Sequence, residues 1–253
     1  MEKGYTIPSL QRGIRIVEAI LGEESGLSAL ELEEQLGIPK TTIFRILHTL
    51  QNESWLEKHG ERYLAGHRFI QTGLQALSGM ELRRVSIPFL DKLSKETGET
   101  THLGIWAGKQ VMVAEVCDGP KHIRIACRAG TLTPAHCSSL GKVLLAGMVG
   151  SENLKAFFMG ETLEKRTPNT ITDLDELAAE LVKVVAQGYA VDDREYYEDV
   201  RCLASPVHNA FGSVIAALGI TATTLTFKES MIPNIAAKVT EIAKEVSQAL
   251  GAH

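Results

Sequence analysis

At 253 residues and 44% hydrophobic content, the chain can bury one or two ordinary cores, and its length leans towards two. A net charge of −5 does not by itself suggest nucleic acid, because DNA-binding domains are usually basic. No apolar run approaches the ~18 residues of a membrane span and residues 1–10 hold no apolar signal-peptide core, so the expectation is a cytoplasmic protein with no membrane partner. Cys117, Cys127, Cys137 and Cys202 lie far apart, which points to reduced thiols rather than a disulfide framework. His136-Cys137 sets two metal-ligating types side by side, but no CxxC or HxxxH accompanies it, and neither a metal nor a cofactor is expected.

Ser9 is expected to cap a first helix whose apolar face is Ile14, Val17, Ala19, Ile20 and Leu21. Residues 26–51 then read as two helices about a glycine turn. Ser28 caps the first, Glu31 stands three residues on as its capping-box partner, and Leu32 and Leu36 share a face. Gly37 ends it. Pro39 suits the first turn of the second helix, along which Ile43, Ile46, Leu47 and Leu50 form one stripe. Lys40, Thr41, Thr42, Arg45 and His48 occupy the opposite face. A bracing helix, a tight turn and a second helix with donors and a guanidinium outside are what a helix-turn-helix in the major groove requires; a plain helical hairpin is the alternative. Residues 55–58 and 62–64 add two short strands about His59-Gly60, a wing, so that 9–64 read as a winged helix-turn-helix. Residues 1–66 hold seven Lys or Arg and ten Glu, a net −3. The charge is uneven, with Lys40, Arg45, Lys58 and Arg62 on the second helix and wing. Weak non-specific affinity would follow, with occupancy depending on base contacts and on joining several heads.

In residues 66–79, Phe69, Ile70, Leu74 and Leu77 recur at helical spacing on a helix too short to stand alone, which packs either on its own domain or on a twin. Beyond residue 80 the pattern is mixed α and β. Residues 81–97 are amphipathic, with Pro88 as a candidate kink. Residues 100–106, 111–117 and 122–128 read as three antiparallel strands, the last alternating Ile123, Ile125 and Cys127 with outward His122, Arg124 and Arg128. A helix near Ser138 opens with Ser-Ser-Leu-Gly-Lys, whose backbone N–H groups and hydroxyls suit a carboxylate or a plain serine cap. Ser151 is expected to cap a short helix and Thr172 to open one stopped at Gly188. Short strands follow at 189–192, 200–207 and 214–221, with Gly219 and Thr221 on one face leaving space for a ligand to approach. Residues 230–250 form a long amphipathic helix that covers the sheet.

Two motifs bring the chain to a known family. Ser9-Leu10-Gln11-Arg12-Gly13 with Leu36-Gly37-Ile38-Pro39-Lys40-Thr41-Thr42 and Arg45, and Gly188, Asp192, Glu195, Cys202-Leu203-Ala204 and Val207-His208-Asn209 at their spacing, resemble the IclR (isocitrate lyase regulator) family of bacterial transcription factors over almost the whole chain. The resemblance implies an α+β protein: a winged helix-turn-helix domain (1–66), a linker helix (67–80) and a PAS/GAF-like effector-binding domain with a mainly antiparallel sheet (81–253). It further implies double-stranded promoter DNA, a small carboxylate effector, and self-assembly as a dimer or dimer of dimers. Gln11 and Arg12 join Lys40, Thr41, Thr42, Arg45, His48, Lys58 and Arg62 as expected DNA contacts. Ser139, Leu140, Asp192, Cys202, Gly219 and Thr221 match the effector-pocket positions, with Ile125 as a wall. Residues 201–224 look especially like the sugar-acid (2-keto-3-deoxygluconate) regulators, so a sugar-derived 2-oxo acid is expected before an aromatic acid; His208 departs from the family in standing where an aromatic is frequent. Cys202 with His136 or His208 and Asp192 can be written as a nucleophile, base and orienter. Cys202 lies mid-strand, however, away from any turn that lowers a thiol pKa, and no enzyme is expected. An interaction module without a ligand is the third reading.

Overall fold

In the computed structural model, which describes residues 6–252, the chain divides after Met80 into two units. The first opens with α1 (Pro8–Leu21). Its cap is Ile7, with no side-chain hydrogen bond, because Pro8 needs no N–H partner and has its φ pre-set for a helix, so Ser9 lies inside the helix and does not cap it. Strand β1 (Leu27–Ser28) leads into α2 (Ala29–Leu36), where the capping box forms as expected. The Ser28 hydroxyl accepts from the Glu31 N–H at 3.3 Å and the Glu31 carboxylate accepts from the Ser28 N–H at 2.7 Å. Gly37 closes α2 at φ +64°, and α3 (Lys40–Asn52) buries Ile43 and Leu47 against Ile16, Ile20 and Leu32.

The wing is β2 (Leu56–His59) and β3 (Arg62–Ala65), antiparallel about Gly60, which has φ +62°. A third strand completes it: β1 pairs with β3, giving the order β1-β3-β2. Gly26, at φ +67°, admits the chain to this sheet, since a Cβ there would run into the Tyr63 carbonyl. In α4 (His67–Ser78), Phe69 packs edge-on against Trp55 with ring centroids 4.7 Å apart, so it belongs to this unit's own core. Ile70 and Leu74 are each 62% exposed.

The second unit starts with α5 (Glu81–Thr97), continuous through Pro88, followed by β4 (Thr100–Ala107) and β5 (Gln110–Cys117). Residues 122–128 do not form the expected strand; the chain runs irregularly from 118 to 131, and the third strand is β6 (Leu132–Pro134), paired with β5. The alternation was real but reports a cavity wall, with Ile125 and Cys127 facing inward and Ile123 77% exposed. Then come α6 (Ser139–Leu144), α7 (Leu154–Phe157), α8 (Leu174–Gln187), β7 (Ala190–Asp193), β8 (Val200–His208), β9 (Val214–Thr223) and α9 (Ile232–Ala249). Asp173, not Thr172, caps α8, because its carboxylate takes the N–H groups of Asp175 and Glu176 at 2.8 and 2.9 Å. Ser151 lies inside a short 3-10 turn that begins from Gly150.

The six strands form one antiparallel sheet in the order β6-β5-β4-β9-β8-β7, with α5 and α9 on one face and α6 against β8 and β9 on the other. Small residues let α6 come close. A Cβ on Gly104 would lie 2.8 Å from the Leu140 Cδ1, and one on Gly141 would run into the backbone of Ala135. Backbone cannot yield as a side-chain tip can, so Gly141→Ala is expected to destabilise the second unit by about 1–3 kcal/mol. Urea unfolding checks this; an unchanged midpoint would mean that α6 is not fixed by this contact.

Candidate functional site

Two regions gather the expected site residues. On the first unit, Lys40, Thr41, Arg45 and His48 are exposed along α3 and Thr42 is half-buried. The Lys40 ammonium lies 5.9 Å from the Phe44 ring centroid, a ring that is itself 46% exposed and was not picked out from the sequence. His48 shares a 3.2 Å hydrogen bond with Asn52, one turn on. Gln11 and Arg12 are exposed on α1, and neither the Arg12 nor the Arg45 guanidinium meets an acidic group among the described residues. On the wing, Lys58 stands 5.6 Å over the Tyr63 ring and 4.0 Å from Glu61.

Arg62 is different. Its guanidinium is 3.0 Å from the Glu31 carboxylate and donates to the carbonyls of Ser25 and Gly26, each at 3.0 Å. It joins the wing to the capping box of α2, a tie within the domain that the distant Glu31 kept out of the sequence reading.

On the second unit, a cavity of about 240 Å³ lies between the α6 face of the sheet, the start of α6, and the segments 118–131 and 194–199. Ile125, Ser139, Leu140, Asp192, Cys202 and Thr221 all line it. Gly219 does not, because the space beside it is taken by the Leu203 carbonyl of the adjacent strand; its missing Cβ serves strand packing and leaves no gap. Sequence reasoning missed His102, Tyr196 and Tyr197 and read Arg128 as facing away, although it borders the cavity.

The register explains which side chains meet. Asp192, Cys202, Thr221 and Thr100 stand opposite one another across β7, β8, β9 and β4, and therefore share a row on one face. The Cys202 thiol donates to the Thr221 hydroxyl at 3.1 Å. Burial pushes that thiol well above its ordinary range, so it is neither a nucleophile nor a metal-binding thiolate at neutral pH. His136 does not join it: its ring is bonded to the Glu164 carbonyl at 3.0 Å and is absent from the cavity wall. Among the described residues no His, Cys, Asp and Glu cluster suits a metal ion. At the start of α6, the Ser138 hydroxyl takes the Gly141 N–H at 3.2 Å, while no acceptor among the described residues takes those of Ser139 and Leu140.

Asp192 lines the cavity and is also engaged within the protein. One oxygen already takes the N–H groups of Glu195 and Tyr196 at 2.7 and 3.3 Å, which folds the 194–199 loop over the cavity. Burial, reinforced by the charge of Glu195, raises its pKa to about 7. The raised value fixes the sign of its linkage. Stability from the protonated form is present at low pH and lost as pH rises through about 7. Asp192→Asn keeps the loop acceptor without the charge, so its stability advantage over the wild type should grow from pH 5 to pH 8, by something on the order of 1–4 kcal/mol. Urea midpoints at the two pH values measure it, and an equal difference at both would contradict the buried-carboxyl assignment.

Comparisons with known proteins bear on the family and the fold. Residues 9–60 match the IclR helix-turn-helix domain and residues 74–248 the bacterial transcriptional regulator IclR C-terminal domain. The HTH-type transcriptional regulator XynR of Escherichia coli K12 is 30% identical over 97% of this chain and 98% of its own length. KdgR, an HTH-type transcriptional regulator of the same organism, is 31% identical over 98% of this chain and 94% of its own. An IclR homolog from Microbacterium hydrocarbonoxydans, solved with 4-hydroxybenzoate, shares the fold at a TM-score of 0.84 and 21% identity, over 96% of this chain and 98% of that one. With a helix-turn-helix unit ahead of an antiparallel effector-type domain, and matches running the length of the chain, this protein belongs to the IclR family of DNA-binding transcriptional regulators.

Proposed function

We propose that this regulator binds double-stranded promoter DNA through α3 and the wing, and that a small hydroxylated 2-oxo acid of the sugar-acid class, held in the second unit, modulates that binding. The observation that carries the ligand reading is the cavity itself. One end presents two free N–H groups at the start of α6, suited to a carboxylate, and Arg128 adds positive charge at its border. The sheet wall offers uncharged or partly protonated hydrogen-bonding groups, His102, Cys202, Thr221 and Asp192, opposite the apolar Ile125 and Leu140. At about 240 Å³ the space suits a metabolite rather than a larger molecule of the ~300–1,000 Å³ pocket class. An aromatic acid is the competing occupant, favoured by Tyr196 and Tyr197 on the wall.

The DNA reading rests on the exposed, unengaged Arg45 and its neighbours Lys40, Thr41 and His48. With Arg62 committed to Glu31, few cations remain in this unit to grip phosphates, and the protein needs base contacts and more than one head on the DNA. Ile70 and Leu74 on α4 and Leu10 and Ile14 on α1, each at least half exposed, are the surfaces that a second copy would cover. The ligand acts by preferring one arrangement of the assembled heads, and shifts operator affinity only by its differential affinity for the two states.

Three outcomes follow. Arg45→Ala is expected to weaken specific DNA binding by about 1–3 kcal/mol without lowering the unfolding midpoint; unchanged affinity in a gel shift on a selected operator would remove α3 from the groove. Ile70→Asp with Leu74→Asp should yield monomers in sedimentation that no longer hold operator. Thermal shifts against a panel of acids should favour sugar-derived 2-oxo acids, and a response to aromatic acids alone would replace the ligand class.

A further inference from the structure

One buried polar side chain on the cavity wall has no hydrogen-bond partner among the described residues. His102 is only 5% exposed, and its Nδ1 is sealed from solvent without a hydrogen-bond partner. None of the hydrogen bonds among the described residues uses its other ring nitrogen either, yet that atom is not sealed, so it opens onto the cavity that His102 lines. Its own backbone carbonyl acts on the ring, but outside hydrogen-bond geometry.

The register shows why no neighbour serves it. His102 on β4 stands opposite Gly219 on β9, which stands opposite Ala204 on β8, and Ala204 faces Ala190 on β7. With Val116 on β5 at its other side, the imidazole is the one polar side chain in a row of small and apolar residues. In the adjacent row the polar groups are already engaged, the Cys202 thiol with the Thr221 hydroxyl and Asp192 with the 194–199 loop. Buried polar side chains without partners are rare in folded proteins, and here the ring nitrogen that is not sealed is the one a molecule in the cavity can reach.

We propose that His102 is the specificity-determining residue of this cavity, hydrogen-bonding a hydroxyl of the ligand and so selecting hydroxylated acids over their deoxygenated counterparts. The inference rests on the reading of the cavity as the effector site. Burial holds the imidazole neutral, with a pKa lowered to about 4, so it presents one N–H and one lone pair. A hydroxyl can accept from the first or donate to the second and thus satisfies either tautomer, whereas a carboxylate or carbonyl only accepts. In the effector reading above, the carboxylate takes the N–H groups at the start of α6. Leu140 packs where Gly104 lacks a Cβ, two residues along β4 from His102, so the hydroxyl in question lies a few carbons from the acid group.

Calorimetry with two six-carbon probes tests this: 2-keto-3-deoxygluconate, and 2-oxohexanoate, which has no hydroxyl. The wild type should bind the first at least about tenfold more tightly. His102→Leu should lose most of that preference by weakening the hydroxylated probe alone, and His102→Gln, which keeps a donor and an acceptor, should restore much of it. His102→Leu should also raise the unfolding midpoint of the free protein, since it removes a buried unsatisfied group; a structural histidine would lower it. Preference retained in His102→Leu overturns the inference and leaves the effector site standing. If the wild type binds neither probe, the effector reading fails and the inference falls with it; binding of both with equal affinity overturns the inference alone.

Discussion

The second unit turns on a buried cation. Lys142 is 1% exposed, with its ammonium 2.6 Å from Glu195 and 3.2 Å from Glu180. Burial alone would lower its pKa, but the two carboxylates outweigh burial and hold it above its usual value, so it stays charged. The ion pairs tie three elements together: α6, the 194–199 loop and α8. Leu140 of the cavity wall lies two residues before Lys142, and Tyr196 follows Glu195. Removing one partner would leave an uncompensated charge, a loss of about 3–5 kcal/mol in buried pairs generally, so the arrangement is kept as a unit. Thr167 and Thr170 reinforce it, their hydroxyls reaching the Glu195 carbonyl at 3.2 and 2.7 Å.

That constraint also sets the electrostatics of the cavity. Glu195 is neutralised by Lys142 on one side, yet its charge still raises Asp192, which buries without a cation of its own. With His102 neutral, Cys202 a thiol and Asp192 partly protonated near pH 7, the sheet wall repels an anionic ligand little and offers it directional hydrogen bonds. On the first unit the economy is similar: Arg62 braces the wing against the capping box, while Arg12, Lys40 and Arg45 stay exposed.

Local chemistry was legible in the sequence and tertiary choice was not. The Ser28–Glu31 box, the left-handed Gly37, the Ile43–Leu47 stripe and the strands on either side of residue 212 follow from side chains acting on their own backbone or from strict periodicity. The misreadings share a cause. Ser9 lost its cap to Pro8, and Thr172 lost its place to the carboxylate of Asp173, each decided by one neighbouring residue. Residues 122–128 alternate because a cavity lies on one side of them, a pattern that a strand would also give. Arg62, Gly219 and His102 could not be placed at all without knowing what lies across the sheet: Glu31, the Leu203 carbonyl, and a row without polar partners.

If occupancy of this cavity governs DNA binding, linkage makes the effect reciprocal. An operator selected by the protein from random DNA would be titrated by fluorescence anisotropy with and without saturating 2-keto-3-deoxygluconate, and the acid's own affinity measured with and without operator. Both affinities should change by the same factor, about fivefold or more. Operator affinity unchanged at an acid concentration that calorimetry shows to fill the cavity would contradict it.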